Sequence, residues 1–225
     1  MTAELTLWGQ SALRLEREGR RLGMDPGTFS DEAALEDVEA VLITHLHPDH
    51  VVPERVARAV AAGAKDVWAP EDLVPQLAAA GVPADVVHTA VPGESFSAAG
   101  FEVRVLGGQH ALIHEDLPRP DNAAYLIDGT LLHPGDSFPA LPDEVEVDTL
   151  LLPVSAPWMK ISEAVEYVRA VAPRLAVPIH DAILSPEGRS VVDGMLPKLV
   201  PAGTEYRRLD RGTPHRLQPG EELAS

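Results

Sequence analysis

The chain has 225 residues, of which 45% are hydrophobic, and this is enough to fill one core, so we expect a single domain over residues 1–225. Its 18 Lys and Arg residues face 35 Asp and Glu residues, and the formal charge of -17 disfavours general binding to nucleic acid or to an anionic membrane. The absence of cysteine excludes disulfides, thiolate metal sites and cysteine nucleophiles, so any metal must be held by nitrogen and oxygen.

The N-terminal segment MTAELTLWGQ has no basic start and no long apolar run, and no later stretch approaches the roughly 20 apolar residues of a membrane span. We therefore expect a soluble, cytoplasmic protein whose partner is a small-molecule substrate. The sequence leaves open whether the chain forms a homo-oligomer.

The first half of the chain begins with short strands and continues with alternating strands and helices. LTLWG, ALRLE and RRLGMD (residues 5–25) predict an antiparallel meander. AVLITH (residues 40–45) is more uniformly apolar, as expected for a strand buried on both faces. A helix that starts at Pro53 and stops at Gly63 follows, and DVWAP and EDLVPQLAAAG repeat the alternation.

The second half repeats this order. Its predicted strands are ESFSAAGFEVRVLGG, AAYLIDGTLLHPGD, VDTLLLPV and LAVPIHD. Its predicted helices are SEAVEYVRAVAP, opened by Ser162, and GRSVVDGMLPKLVPAG. Two packed sheets with helices on their outer faces satisfy this order of elements.

The segment THLHPDH (Thr44 to His50) gathers metal-binding side chains where a strand turns into a loop. His45 and His47 are two residues apart, so in extended backbone they point the same way and can hold one ion. Asp49 and His50 lie beyond Pro48, where the chain must turn, and can reach a second ion beside the first. The spacing therefore suggests two metals.

Three further candidates stand at the ends of other predicted strands. His110 ends VRVLGGQH, Asp136 follows TLLHPG, and His180 ends LAVPIH. Polar residues in such positions lie where sheets commonly present their active sites. Together with THLHPDH they make seven ligands, which is enough for two divalent ions and a bridging water.

This ordered pattern of His-x-His-x-Asp-His, a lone His, Gly-Asp and a final His resembles the metallo-β-lactamase superfamily. DPG (residues 25–27) also resembles that family's acidic turn before the metal motif, so the resemblance covers nearly the whole chain. The stretch LPVSAPWMKISEAVEYVRAVAPRLAVPIHD looks most like the compact branch that includes ascorbate-6-phosphate lactonase. The resemblance implies an α+β fold, a four-layer αββα sandwich of two mixed sheets with helices on the outer faces.

The resemblance also implies a role for each of the seven side chains. The first ion would be bound by His45, His47 and His110, the second by Asp49, His50 and His180, and Asp136 would bridge them. We expect zinc as the metal, with manganese or iron as alternatives, because a site of nitrogen and oxygen suits several ions.

The expected activity is that of a dinuclear metal-dependent hydrolase that directs a metal-bridging hydroxide at a small-molecule ester, lactone or related acyl bond. Asp49 is the expected catalytic residue, which orients the water and relays a proton to the leaving group. One alternative is a phosphodiesterase for a nucleotide or small RNA, which the acidic balance disfavours. Another is a non-catalytic metal-binding or sensing module, which retention of all seven ligands disfavours.

Several residues outside the ligand set are also candidates. Asp25 and Thr44 are expected to orient the histidines. The compact branch often has GHS where this chain has GQS, so Gln10 replaces a histidine that could line the site. His133 is expected to support the metals or to face away from them, and His88 and His215 are expected to be structural.

The segment HALIHEDLPRPDN (residues 110–122) is polar, Pro-rich and long for a connection, which fits a loop over the site. His114, Glu115 and Arg119 either contact substrate there or belong to a solvated surface loop. A second post-strand loop contains Trp158, Met159 and Lys160, which are candidates for a pocket wall, with ordinary packing as the alternative for Trp158.

Overall fold

The chain folds into two seven-stranded sheets, and the computed structural model describes residues 3–217. The strands of the first sheet are Ala3–Gly9 (β1), Ala12–Arg17 (β2), Arg20–Met24 (β3), Ala40–Leu42 (β4), Asp66–Ala69 (β5), Val87–Thr89 (β6) and, late in the chain, His215–Leu217 (β14). The strands of the second sheet are Ser95–Ala98 (β7), Phe101–Leu106 (β8), Ala124–Ile127 (β9), Leu131–His133 (β10), Thr149–Pro153 (β11), Leu175–Ile179 (β12) and Glu205–Tyr206 (β13).

The two sheets follow the same plan. The first has the order β14-β1-β2-β3-β4-β5-β6 and the second the order β13-β12-β11-β10-β9-β8-β7. In the first sheet, the pairings from β14 to β3 are antiparallel and those from β3 to β6 are parallel. In the second, the pairings from β7 to β10 are antiparallel and those from β10 to β13 are parallel. The repeated order of elements in the sequence therefore corresponds to two mixed sheets.

The helices are Pro53–Ala62 (α1), Val74–Ala79 (α2), Ile161–Val171 (α3) and Pro186–Met195 (α4). Their boundaries correct two predictions. The third helix begins at Ile161 instead of Ser162, because the Glu163 carboxylate accepts the Lys160 backbone N–H at 2.6 Å and closes the first turn. The fourth begins at Pro186, before the predicted Gly188, because the Ser185 hydroxyl caps it.

Three apolar clusters hold the layers together. Leu5, Leu13 and Phe101 belong to the cluster between the two sheets. A second cluster joins α1 and α2 to the outer face of the first sheet, and a third joins α3 and α4 to the outer face of the second. The expected α+β fold with a four-layer αββα arrangement is thus confirmed. No helix of the described chain is long and apolar enough to cross a membrane.

The sheets place the candidate ligands at one edge of the sandwich. THLHPDH follows β4, His110 follows β8, Asp136 follows β10 and His180 follows β12. The strand β4 is shorter than predicted, since it ends at Leu42 and leaves His45 in the connection. Side chains that follow strand ends in this way are free to turn toward a common point above the core.

Candidate metal centre

The structure brings all seven predicted ligands together. Ligand atoms of His45, His47 and His110 lie within 4.8 Å of one another, and so do those of Asp49, His50 and His180. A third group at the same spacing joins Asp136 to His45 and His50, which places Asp136 against both of the others. The grouping agrees with the roles that the sequence implies, and those roles stay predictions.

Buried polar atoms without partners show that the cluster suits a metal. Within residues 3–217, four of its buried atoms form no hydrogen bond, namely His50 Nε2, His110 Nε2, His180 Nε2 and Asp136 Oδ1. Asp136 Oδ1 lies 3.1 Å from His50 Nε2, and Asp136 Oδ2 lies 3.0 Å from His180 Nε2. Each unpaired buried polar atom costs about 1–3 kcal/mol. Divalent ions bound by the cluster would satisfy these atoms, so the residues present fit the expected metal.

The opposite nitrogen of each of these imidazoles is already fixed. His110 Nδ1 lies 2.6 Å from the Ala111 carbonyl, and His180 Nδ1 lies 2.6 Å from the Ser155 carbonyl. His50 Nδ1 lies 2.7 Å from Asp25 Oδ2. Because carbonyl and carboxylate oxygens only accept hydrogen bonds, each Nδ1 carries a proton, and each Nε2 is the nitrogen left to bind a metal once any proton on it is displaced.

A buried network behind the cluster contains the residues expected to orient it. Both oxygens of Asp25 are used, since Oδ1 accepts the Thr44 backbone N–H at 2.8 Å and Oδ2 accepts the Thr44 hydroxyl at 2.7 Å and His50 Nδ1. The Thr44 hydroxyl lies 3.0 Å from His45 Nδ1. His133 supports this network, with its Nε2 3.1 Å from the Ser11 carbonyl and 3.6 Å from Asp25 Oδ2.

Gln10 has a structural role that its position in GQS did not reveal. Its side-chain amide donates to Asp49 Oδ2 at 2.8 Å, and its Oε1 accepts the Ala182 backbone N–H at 3.0 Å. The Gln10 backbone carbonyl accepts the His180 N–H at 2.9 Å. Gln10 and His180 both have positive φ, at 51° and 57°. The buried Gln10 therefore ties the loop of Asp49 to the loop of His180.

The charges within the cluster are strongly coupled. Burial opposes ionisation of Asp136, yet the facing His50 and His180 outweigh it and hold the Asp136 pKa well below its usual range. Burial likewise opposes charge on His180, but Asp136 and Asp49 raise its pKa to about 9. For His45, burial and the neighbouring His50 lower the pKa well below its usual value. A metal that binds here must therefore displace protons, as at other histidine and carboxylate sites.

Trp158 links an adjoining cleft to the cluster. Its indole Nε1–H donates to Asp136 Oδ2 at 2.8 Å, and its ring contacts those of His110 and Phe138. The prediction of a pocket wall applies to Trp158 alone in that loop, because Met159 packs in an apolar cluster and Lys160 precedes α3. The hydrogen bond to Asp136 was not foreseen.

The remaining candidates are divided between the surface and the cleft. The His114 side chain is 65% exposed, and Glu115 is also exposed. Neither belongs to the residues that line the cleft, whereas Arg119 does. His88 pairs with Asp66 at 2.8 Å and stacks on Trp68, and His215 lies in the edge strand β14.

Replacing Trp158 with Phe tests its bond to Asp136. The Phe ring keeps the contacts with Phe138 and His110 but removes the N–H, so Asp136 Oδ2 loses a donor that fixes its orientation. We expect metal affinity to fall roughly tenfold to a hundredfold, the range for loss of a partner of a metal ligand. Competition with a chromophoric chelator measures this. Trp68→Phe is the control, because the Trp68 indole N–H has no partner within the described chain; equal effects of both variants would contradict the assignment.

Comparisons with known proteins agree with this geometry. A family model described as a β-lactamase superfamily domain matches residues 4–180. The chain is 41% identical over 204 residues to Protein Rv0786c of Mycobacterium tuberculosis, a match that covers 88% of this chain and 92% of that protein.

Two solved structures share the fold. Igni18, a metallo hydrolase from the archaeon Ignicoccus hospitalis, superposes with a TM-score of 0.69 at 22% identity and covers 97% of this chain and 99% of its own. The metallo-β-lactamase fold protein YhfI from Bacillus subtilis gives a TM-score of 0.70 at 15% identity, covering 96% of this chain and 99% of its own. From the family model and the extended sequence match, we conclude that the chain belongs to the metallo-β-lactamase superfamily.

Proposed function

We propose that this protein is a dinuclear metal-dependent hydrolase that cleaves an ester, lactone or related acyl bond in a small molecule. Membership of the superfamily and the group of seven histidine and aspartate side chains support metal-dependent hydrolysis. The number of ions, the metal and the acyl substrate are the finer parts of the proposal.

The observation that carries the proposal is the convergence of unpartnered buried atoms. His110 Nε2 belongs to the first group of three, and His50 Nε2 and His180 Nε2 belong to the second. The Asp136 carboxylate lies against both groups, with Oδ1 3.1 Å from His50 Nε2 and Oδ2 3.5 Å from His110 Nε2. Two sets of three ligand atoms that share a buried carboxylate fit two ions better than one. Five imidazoles with two carboxylates favour zinc, and manganese or iron are the alternatives.

Bound divalent ions would supply Lewis acidity and would lower the pKa of a water from 15.7 to about 7. The protein supplies the proton relay, which we assign to Asp49. Its side chain belongs to the cluster and is 22% exposed, so it is open to solvent as well as to the other candidate ligands. Burial opposes its charge, but His180 and His50 lower its pKa to about 2, so the carboxylate stays ionised. An ionised carboxylate held by Gln10 accepts a hydrogen bond from the attacking water and so orients it, which is the position from which we assign Asp49 the relay of a proton to the leaving group.

The choice of a small acyl substrate rests on the cleft and on charge. The cleft has a volume of about 720 Å³, which is in the range of small-molecule sites, and its wall includes Phe138, Pro139 and Trp158. A chain with a formal charge of -17 repels the polyanionic backbone of a nucleic acid.

Metal analysis combined with a substrate panel tests the proposal. We expect about two divalent ions per chain in protein purified without chelator, and hydrolysis of aryl esters or lactones that is lost on chelation and restored by zinc, manganese or iron. His45→Ala should lower the metal content. His88→Ala is the control and should leave it unchanged, because His88 pairs with Asp66 on the surface.

Two results would contradict the proposal. Failure to bind metal after incubation with each of the three ions would exclude the mechanism. Preferential cleavage of bis(4-nitrophenyl) phosphate over all esters and lactones would assign the site to phosphodiesters instead.

A further inference from the structure

The cleft beside the metal cluster contains one basic and one acidic side chain. It lies against the ligands because its lining includes Ala111 and Ser137, the chain neighbours of His110 and Asp136, and also Trp158, which is bonded to Asp136. A substrate with its scissile bond at the cluster would place its remaining atoms in this cleft. The charged side chains of the lining are Arg119 and Glu163.

Arg119 presents a guanidinium group whose terminal nitrogens are available. Its Nε donates to the backbone carbonyl of His110 at 2.5 Å. Within residues 3–217, Arg119 forms no ion pair, although the chain has 35 acidic residues for 18 basic ones. Most other arginines do pair, as Arg58 does with Glu32 at 3.1 Å. The Glu163 carboxylate is engaged by the Lys160 backbone N–H and does not pair with Arg119.

The loop that carries Arg119 is anchored at both ends. Gln109 and Asp121 form an isolated β-bridge, and the His110 N–H donates to the Pro120 carbonyl at 3.0 Å. Inside the loop, the Leu117 N–H donates to the His114 carbonyl at 3.1 Å. The bond from Arg119 to His110 then fixes the guanidinium relative to one of the predicted metal ligands. A preorganised cation costs little conformational entropy when it binds a ligand.

We infer that the substrate carries a carboxylate, at the end remote from the scissile acyl bond, that binds the terminal nitrogens of Arg119. This inference rests on the proposed function, because it names the substrate class of the same site. The planar guanidinium fork matches a carboxylate with two parallel N–H···O bonds. Within the described chain, Arg119 is the only basic residue that lines the cleft. One guanidinium group suits a monoanionic carboxylate better than a phosphate dianion. The aromatic surfaces of Phe138 and Trp158 suit the carbon chain between the two ends.

A matched pair of esters tests the inference in the metal-loaded enzyme. The 4-nitrophenyl monoester of glutaric acid has a free carboxylate, and its methyl ester has the same chain without the charge. We expect kcat/KM to favour the acid by roughly five- to tenfold, which is the range for a charge-assisted contact at a half-open site. Arg119→Gln should abolish the preference and Arg119→Lys should retain part of it. Arg58→Gln, on the outer helix α1, should retain all of it.

A binding measurement judges the carboxylate site even if neither ester is cleaved. The chain has three tryptophans, so the indole N–H resonance of Trp158 can be followed with those of Trp8 and Trp68 as internal references. Monomethyl glutarate should produce a saturable shift at Trp158 that is absent with dimethyl glutarate and is lost in Arg119→Gln.

The outcomes separate the two proposals. Equal rates for both esters, or a preference that survives Arg119→Gln, would overturn the carboxylate site while leaving acyl hydrolysis intact. Absence of cleavage together with the Arg119-dependent shift would support the site and count against ester hydrolysis. A shift that persists in Arg119→Gln would place the carboxylate on the metals and overturn the inference.

Discussion

Asp136→Asn is expected to retain at most one ion per chain and to lose most of its hydrolytic activity. Loss of a residue that only hydrogen-bonds to a metal ligand typically lowers metal affinity or activity by roughly 10- to 100-fold, and we expect the loss of activity here to be larger. Asp136 is the carboxylate that lies against both groups of ligands, and its side chain is only 4% exposed. Two divalent cations held close together repel each other strongly at low dielectric, so a buried negative charge between them is needed. An amide has nearly the same shape but lacks that charge.

Metal content, chelator competition and kcat/KM on a cleaved ester measure this effect. Asp128→Asn is the matched control. Asp128 also pairs with a basic group, Arg17, but it lies in the turn between β9 and β10 and has a φ of 49°, which Asn tolerates. That variant should keep two ions and full activity. Two tightly bound ions and unchanged turnover in Asp136→Asn would show that the cluster does not depend on a bridging carboxylate.

The sequence was sufficient to predict which seven side chains come together, because each of them belongs to a local pattern. His45, His47, Asp49 and His50 are separated by fixed short spacings, and His110, Asp136 and His180 follow apolar runs that predict strands. Apolar runs that alternate with amphipathic helices also predicted two sheets with outer helices. The local patterns do not show that the strand ends lie close together in space. In the structure, the matching strand order of the two sheets brings these ends to the same edge of the sandwich.

The contacts that fix the ligands could not be predicted in the same way. Gln10 reaches Asp49 across 39 positions and Ala182 across 172 positions, so no local spacing signals either hydrogen bond. Trp158 reaches Asp136 from a different loop, 22 positions away. The strand β14 was missed because three residues carry too little pattern to distinguish a strand from a loop, and it exists only through its pairing with β1.

Gly27 lies in the acidic turn before THLHPDH, and its replacement by Ala is the second substitution for which we expect a large loss of activity. A Cβ at Gly27 would lie 1.9 Å from both the carbonyl carbon and the carbonyl oxygen of Asp49, and 2.4 Å from the backbone nitrogen of His50. These are backbone atoms, so no side-chain rotation can relieve the contact. The turn and the ligand loop must move apart, and Asp49 and His50 must move with them.

Neither side of this contact can move freely. The Thr28 N–H donates to the Pro48 carbonyl at 2.8 Å, and the Gly27 carbonyl accepts from the Ser30 hydroxyl at 2.7 Å and from Arg55 at 2.6 Å. Overpacking in a close-packed region typically costs about 1–3 kcal/mol. We therefore expect Gly27→Ala to fold with a lower free energy of unfolding and a displaced pair of ligands.

Gly27→Ala should lower kcat/KM and metal affinity more than it lowers the free energy of unfolding. A displacement of about 1 Å at reacting groups can cost roughly 10²-fold in rate, so kcat/KM should fall by that order and metal affinity should fall with it. Measurements well below the melting temperature separate this from unfolding. Gly194→Ala in α4 is the control, because a Cβ there has no neighbour within 4 Å, and it should be neutral or stabilising by up to about 1 kcal/mol. If Gly27→Ala bound both ions with native affinity, the close approach of the two loops would not be what positions Asp49 and His50.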